Sequence, residues 1–223
     1  GKIFAMLGAN GAGKTTAINL VLDFIPPSEG EARIAGISVR ENPLEAKKHV
    51  AFVSENVMLY GNLTAVQNLE YFSRLAGFST YTRPDYGAVL TRVGLQAEAH
   101  DRKLREFSKG MRQKCGIAIA ILKDASAILL DEPTSGLDPQ AAHEFLGLLR
   151  TLRDAGKGIL MSTHDLFRAK EVADVVGFMN GGRLVMVRGR AELAHEDLEQ
   201  LYIRYMAGPE AGAKEAVHVP IAG

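Results

Sequence analysis

The stretch that decides the fold is "IFAMLGANGAGKTT", residues Ile3 to Thr16, in which a short apolar run leads directly into a glycine-rich loop. Residues 8–16 match the pattern G-x-x-x-x-G-K-[ST], whose glycines let backbone N–H groups wrap phosphates at a helix start. In this pattern Lys14 neutralises the β- and γ-phosphates, Thr15 reaches a magnesium ion and Thr16 lies near the α-phosphate. A simple glycine-rich turn is the alternative, but a turn does not require Lys-Thr-Thr after an apolar strand. The predicted nucleotide-binding residues are Gly8, Asn10, Gly11, Gly13, Lys14, Thr15 and Thr16.

A second motif, "AILLDEPTSGLD", spans Ala127 to Asp138 and places two adjacent acids after a buried strand. Open parallel sheets bind ligands at the carboxyl ends of their strands. Because successive strand side chains point in opposite directions, Asp131 and Glu132 should have different roles. We expect Asp131 to hold the magnesium ion's water shell, and Glu132 to orient or deprotonate an attacking water. The alternative is that the pair merely ends a strand and Pro133 starts a turn.

A third motif, "GILMSTHD", is another apolar strand, followed by His164. A lone histidine is more often a surface residue or a neighbour of a helix start. If this strand lies beside the one that precedes Asp131 and Glu132, His164 comes within reach of a γ-phosphate. The sequence therefore predicts a catalytic role for Glu132 and His164.

A second phosphate-seeking loop is "EFSKGMRQK", Glu106 to Lys114. Ser108 is a good N-cap, and Gly110 lets the backbone approach an anion, so a helix from Met111 onward would present free N–H groups and its positive dipole end. In the predicted fold this loop lies far from residues 8–16. Two chains placed head to tail would bring each Ser108 loop to the nucleotide on the other chain's Lys14 loop.

Around these motifs, strands and helices alternate in a way that predicts an α/β fold with a mostly parallel sheet covered on both faces. The predicted strands are "IFAML", "VAFV", "AILL", "GILMS" and "VVGFM". Residues 64–123 lack strand patterns and predict an all-helical insertion, with "AVQNLEYFSRLAG" and "YGAVLTRVGL" as helices. The predicted domains are a core of residues 1–63 and 124–207 and a helical subdomain of residues 64–123. A core helix over 139–153, a last helix "DLEQLYIRYMAG" and a disordered tail at 208–223 complete the prediction.

Bulk properties limit the possible classes of protein. The 223 residues, 47% of them hydrophobic, suit one domain with a subdomain. Lys+Arg 26 against Asp+Glu 26 gives no net charge, so no nucleic-acid partner is expected. A single cysteine, Cys115, fits a reducing compartment, and the absence of a long apolar run predicts a soluble chain. Because Gly1 leads almost directly into a strand, we expect the natural N-terminus to lie upstream.

Together these motifs resemble those of the nucleotide-binding domain of ATP-binding cassette (ABC) transporters. "GANGAGKTT" is similar to their Walker A, "AILLDEP" to Walker B, "FSKGM" to the signature motif (commonly LSGGQ), "SGLD" to the D-loop and "STHD" to the switch-histidine loop. The resemblance implies a P-loop NTPase (RecA-like) core with an inserted helical subdomain, and ATP and Mg²⁺ as ligands. It implies a dimer in which Walker A of one chain and the signature of the other enclose each ATP. The implied signature residues are Ser108, Lys109, Gly110 and Met111, and the D-loop residue is Asp138.

Three departures from the family pattern concern the signature, the Q-loop and the adenine-stacking residue. In the signature, Phe107, Lys109 and Met111 replace the common Leu, Gly and Gln. At the Q-loop, Glu55 stands where glutamine is usual; its carboxylate can bind magnesium but donates no hydrogen bond unless protonated. The implied metal ligands are thus Thr15, Glu55 and Asp131. The aromatic residue that stacks on adenine in the family would lie upstream of Gly1.

Two functional classes follow from the resemblance. "ENVMLYGNLTAVQNLEYFSRLAG" and "FSKGMRQK" resemble the exporter branch, which implies an ATPase subunit on the cytoplasmic face of the cell membrane. Its partners would be a transmembrane permease and a second copy or a related ATPase subunit. The alternative is a soluble ABC ATPase without a permease, acting in assembly, on ribosomes or on nucleic acid. Long coiled coils, paired cysteines and tandem cassettes, which are usual in the nucleic-acid and ribosome types, are missing from this sequence, and a GTPase is disfavoured because no N-K-x-D motif is present.

Overall fold

The computed structural model describes residues 1–193 and 197–206, which form a six-stranded sheet, a two-stranded hairpin and flanking helices. The large sheet has the order β4-β5-β6-β1-β7-β8 and is parallel except for β8, which runs antiparallel to β7. All five predicted strands lie in it, which confirms the predicted α/β class. The strands are β1 Ile3–Leu7, β2 Arg33–Ile34, β3 Ile37–Ser38, β4 Val50–Val53, β5 Ala127–Asp131, β6 Gly158–Thr163, β7 Val175–Asn180 and β8 Arg183–Gly189.

The central strand β1 positions the glycine-rich loop. It pairs with β6 on one side and β7 on the other. Ile3, Ala5 and Leu7 are fully buried on one face and Met6 is 5% exposed on the other, as expected of a strand covered on both faces. Leu7 is in register with Thr163, and Asp131 is in register with Ser162. The segments that follow β1, β5 and β6 therefore leave the sheet at the same edge.

Helices cover both faces of this sheet, and three of them form the insertion between β4 and β5. Their bounds are α1 Lys14–Val21, α2 Pro43–Lys48, α3 Ala65–Leu75, α4 Arg83–Arg92, α5 Lys109–Leu122, α6 Pro139–Asp154, α7 Leu166–Val172, α8 Arg190–Leu193 and α9 Leu198–Met206. A capping box of Thr64 and Gln67 begins α3. Within the described ranges, residues 64–123 contain helices and turns but no named strand. The exact domain boundaries stay a prediction.

Some boundaries and strands differ from the sequence prediction. Helix α4 begins at Arg83 rather than Tyr86, because Thr82 and Asp85 cap a polar first turn. The hairpin β2–β3 and the edge strand β8 were not predicted. Strand β8 is mostly half-buried and pairs with β7 across the Gly181–Gly182 turn, so its sequence lacks the continuous apolar run of a central strand.

The core contains the apolar face predicted for residues 139–153. Asp138 is the N-cap of helix α6, its carboxylate accepts a hydrogen bond from Ala141 N at 2.9 Å, and Pro139 is the first helical residue. The predicted core residues are all buried: Ala142, Phe145, Leu146, Leu149 and Leu152. Phe145, Leu146, Leu149 and Leu152 pack in a cluster shared with strand residues such as Leu130.

Phe145→Ala is expected to lower the free energy of unfolding by about 3–5 kcal/mol, because the 1% exposed ring leaves a cavity in the core. Chemical denaturation monitored by circular dichroism measures the change. Phe167→Ala is the matched control, since that ring is 82% exposed, and its effect should stay within about 0.5 kcal/mol. Equal effects of the two changes would contradict the packing described for α6.

Among the described residues, the helices are all too short or too polar to cross a membrane. The predicted tail at 208–223, together with the last residue of the predicted core, lies outside the described residues.

Candidate nucleotide-binding and hydrolysis site

The glycine-rich loop joins β1 to α1 through backbone conformations that favour glycine. Gly11 has φ 82° and Gly13, the N-cap of α1, has φ 103°. Gly8 is required for a different reason, because a Cβ atom there would lie 2.5 Å from the carbonyl oxygen of Met179. The loop is thus held closely against the end of β7, and α1 begins at Lys14 with its free N–H groups at the loop.

Lys14 lies at the centre of the site and is only 6% exposed. Its Nζ donates to the carbonyl oxygens of Gly8 at 2.7 Å and Ala9 at 3.2 Å, and lies 3.3 Å from Glu132 Oε1. A buried ammonium group beside a helix start is the arrangement that neutralises phosphate oxygens. The loop and Lys14 can therefore bind a polyphosphate.

Thr15 and Asp131 supply the oxygen atoms that fit a magnesium ion. Thr15 Oγ1 donates to Asp131 Oδ2 at 2.9 Å, and Ser162 Oγ donates to Asp131 Oδ1 at 2.5 Å. The described residues contain no cluster of three or more His, Cys, Asp and Glu side chains suited to a metal. Magnesium commonly binds through one or two protein oxygens together with phosphates and waters, so a hydroxyl and a carboxylate beside a phosphate loop suit it.

Glu132 contacts a different set of groups from its neighbour Asp131. Its backbone has φ 46°, and its N–H donates to the carbonyl oxygen of Ser162 at 3.2 Å and to Ser162 Oγ at 3.0 Å. Its side chain is 15% exposed, and Oε2 lies 3.0 Å from His164 Nδ1. Oε1 of Glu132 is buried and lies in ion-pair contact with Lys14. Among the described residues it accepts no hydrogen bond. A left-handed, non-glycine backbone is uncommon and often marks a functional position.

The Ser108 loop begins α5, two residues earlier than predicted. Ser108 is exposed, and its Oγ accepts a hydrogen bond from Met111 N at 3.2 Å. Gly110 is buried, and a Cβ atom there would lie 3.6 Å from both Ala141 and Leu137 near the start of α6. The helix start is thus available to an external anion at Ser108, while Gly110 lies against α6.

Glu55 contacts the Ser108 loop's lysine and the segment after Glu132. Its Oε1 accepts a hydrogen bond from Ser135 Oγ at 2.8 Å and lies 3.3 Å from Lys109 Nζ. The Ser135 hydrogen bond, followed by the Lys109 contact, lowers the pKa of Glu55. Neither contact involves Thr15 or Asp131, so the metal role of Glu55 stays a prediction.

Sequence reasoning missed two residues that organise this site. Ser162 bonds both Asp131 and the backbone of Glu132, and Ser135 bonds Glu55. A polar residue at the end of an apolar strand was the available signal for Ser162. Ser135 had no such signal, since its partner is 80 residues away in the chain.

The fold, together with the phosphate-binding loop, Lys14 and Glu132 at the carboxyl ends of the strands, defines a nucleotide-binding cassette of the P-loop class. The ABC transporter family model matches residues 1–135, more than half of the chain. The chain therefore belongs to the ABC transporter family.

Curated relatives support this membership. The ABC transporter ATP-binding protein NatA of Bacillus subtilis is 33% identical over 208 residues, covering 92% of this chain and 84% of NatA. The bacitracin transport ATP-binding protein BcrA of Enterococcus faecalis is 37% identical over 186 residues, covering 83% of this chain. The chain spans about three fifths of the length of several such relatives, 59% in the case of BcrA.

A solved structure of the ATP-binding subunit of an ABC transporter confirms the fold. It superimposes with a TM-score of 0.76 at 29% identity, covering 91% of this chain and 87% of that one.

Proposed function

We propose that this chain is the ATP-binding and ATP-hydrolysing subunit of an ABC transporter, and that it drives export through a separate membrane permease. The observation that supports this most strongly is the convergence of Lys14, Glu132 and His164 within 3.3 Å contacts at the end of the sheet. Family membership supplies the context, and the name of BcrA ties one relative to bacitracin transport. The resemblance of residues 55–77 and 107–114 to the exporter branch supports the direction.

In the proposed binding mode, the loop from Gly8 to Thr16 wraps the phosphates of ATP. Lys14 exchanges its bonds to the Gly8 and Ala9 carbonyls for the β- and γ-phosphate oxygens, because a charged acceptor binds an ammonium group more strongly than a neutral carbonyl does. Thr15 and Asp131 hold Mg²⁺, which when bound neutralises charge on the phosphate oxygens. Thr16 lies one residue further along α1, toward the α-phosphate.

In the proposed hydrolysis step, Glu132 orients a water molecule and accepts its proton while the water attacks the γ-phosphorus. Its Oε1 is buried without a directed hydrogen bond from the described residues and is therefore available to a water. His164 holds the other oxygen at 3.0 Å, which fixes the carboxylate's orientation. The leaving group is ADP, and the bond that breaks joins the γ-phosphorus to the bridging oxygen.

The second half of each site comes from another cassette, either a second copy or a related subunit. Ser108 is exposed at the start of α5, where free N–H groups and the helix dipole favour an anion. Its observed partner is Met111, on its own helix. We therefore place Ser108 against the γ-phosphate bound by the partner chain's Lys14 loop, with Asp138 near the same interface.

A membrane-recruitment experiment tests the proposal. A tagged version of the protein is produced with and without a candidate transmembrane permease, and membranes are separated from the soluble fraction. We expect the protein on the cytoplasmic face of the membrane only when the permease is present, and we expect the purified protein to hydrolyse ATP. ATP hydrolysis with the protein wholly soluble in both cases would favour the permease-free ATPase instead.

A further inference from the structure

One face of α5 packs against residues 53–57, the Glu55 loop. Lys109, Gln113 and Gly116 recur at helical spacing and all meet the segment from Val53 to Val57. Gln113 is fully buried, and its Nε2 donates to the carbonyl oxygens of Ser54 at 3.2 Å and Glu55 at 2.9 Å. At Gly116 a Cβ atom would lie 3.0 Å from Val53 Cγ1, so the helix approaches the loop as closely as a glycine allows. The backbone of the loop is thereby fixed to the helix that begins at Ser108.

The carboxylate of Glu55 adds a third segment to this contact. Oε1 lies 3.3 Å from Lys109 Nζ and accepts from Ser135 Oγ at 2.8 Å. Ser135 N in turn donates to the carbonyl oxygen of Glu132 at 3.1 Å. A Cβ atom at Gly136 would lie 3.6 Å from Lys109 Nζ, so the lysine also lies over the turn that follows Glu132. Through Glu55, the Ser108 loop and the Glu132 turn are joined by polar contacts.

Lys109 stands where the family's signature motif usually has glycine, and Glu55 stands where its Q-loop usually has glutamine. The two unusual residues are each other's ion-pair partner. Neutral residues at both positions would leave the contact without its ion pair. This mutual compensation suggests that their charges serve each other rather than a phosphate and a metal.

We propose that Lys109 and Glu55 are a positioning pair that sets the Ser108 loop against the Glu132 turn of the same chain, rather than a phosphate contact and a magnesium ligand. The inference rests on the proposed function, since it is the partner's nucleotide that the positioned Ser108 loop would meet. Loss of the pair would misplace the loop when two chains close around ATP. The Lys14 loop, which binds ATP first, would be unaffected.

Charge exchange tests this proposal. Glu55→Lys and Lys109→Glu each place like charges together, and each should lower kcat about tenfold at low ionic strength. The double variant Glu55→Lys, Lys109→Glu restores the pair with its sign reversed and should recover to within about threefold of wild type. ATP affinity of the isolated chain and the Mg²⁺ concentration for half-maximal turnover should stay within about twofold in all three, because neither residue binds ATP or metal in this proposal.

A different result is expected if Glu55 binds magnesium and Lys109 binds phosphate. The double variant then loses both contacts, and its kcat should be no higher than that of the worse single variant. A raised Mg²⁺ requirement in Glu55→Lys would likewise overturn the proposal. Arg83→Glu is the control for charge reversal, since Arg83 pairs with Asp101 at an exposed position in the helical region and should leave turnover unchanged.

A measurement without nucleotide separates failure of the pair from failure of the proposed function. Amide hydrogen exchange over residues 53–57 and 108–113 should rise in both single variants and return in the double variant, whether or not the chain hydrolyses ATP. A wild-type chain without ATP turnover, but with this exchange pattern, would refute the proposed function and keep the pair. Exchange that does not return in the double variant would refute the pair.

Discussion

Glu132→Gln is expected to reduce ATP turnover by roughly 10²- to 10⁴-fold while ATP affinity changes by less than about threefold. Glutamine has the shape of glutamate but cannot accept the proton of the attacking water. Lys14 loses an ion-pair partner at 3.3 Å, which leaves it more available to phosphate. Since ATP is bound and not consumed, stable ATP-bound dimers should accumulate.

Single-turnover hydrolysis, nucleotide binding and light scattering together measure these effects. Glu144→Gln is the matched control, because Glu144 is a half-exposed carboxylate on helix α6 that contacts Lys114 and Gln140. It should retain near-wild-type turnover. If Glu132→Gln hydrolyses ATP normally, Glu132 is not the base, whatever the state of the dimer.

A mixture of Lys14→Ala and Ser108→Arg chains should regain ATP-dependent dimerisation that neither variant shows alone. Lys14→Ala should weaken ATP binding itself, because the triphosphate loses its buried counter-charge. Ser108→Arg should block close approach of the loop by bulk, whereas alanine would remove only a hydrogen bond of about 1 kcal/mol. Every site in either homodimer has one lesion, but the mixed dimer has one doubly damaged site and one intact site.

The control for this experiment is wild type mixed with the Lys14→Ala, Ser108→Arg double variant. That mixed dimer has one lesion at each site and should add nothing to the signal of the wild-type homodimers. Light scattering detects partial closure around one intact site even if hydrolysis requires two. Absence of mixed dimers, under conditions where wild type dimerises, would mean that Ser108 does not act on the partner's nucleotide.

The sheet was predictable because its signals are local. Strands β1, β4, β5, β6 and β7 are short runs of apolar residues, and burial on both faces favours such runs. The first residues of helices that begin with polar side chains were harder to predict. At α4 the capping pair Thr82 and Asp85 extends the helix ahead of its apolar residues, so the apolar pattern located the start three residues late. The edge strand β8 has a weak pattern for a different reason, because it is mostly half-buried and lacks a continuous apolar run.

Within the site, motifs predicted which residues are present at the sheet edge but not how they pair. The spacing in Gly8–Thr16 is local and places Lys14 and Thr15 at the start of α1. The bond from Ser135 to Glu55 joins residues 80 apart, and no periodicity in the sequence indicates it. The alternation of strand side chains indicated separate roles for Asp131 and Glu132, but not the left-handed backbone at Glu132.

The central place of β1 has a consequence for the synthesis of the protein. Ile3 pairs with Ile159, so β1 meets this neighbouring strand only after more than 150 further residues have been made. At roughly 5–20 residues per second that interval is on the order of 10–30 s. During it a fully apolar strand, followed directly by the glycine-rich loop, has no sheet to join. Nascent chains of this protein should therefore depend on chaperones until β6 and β7 have emerged.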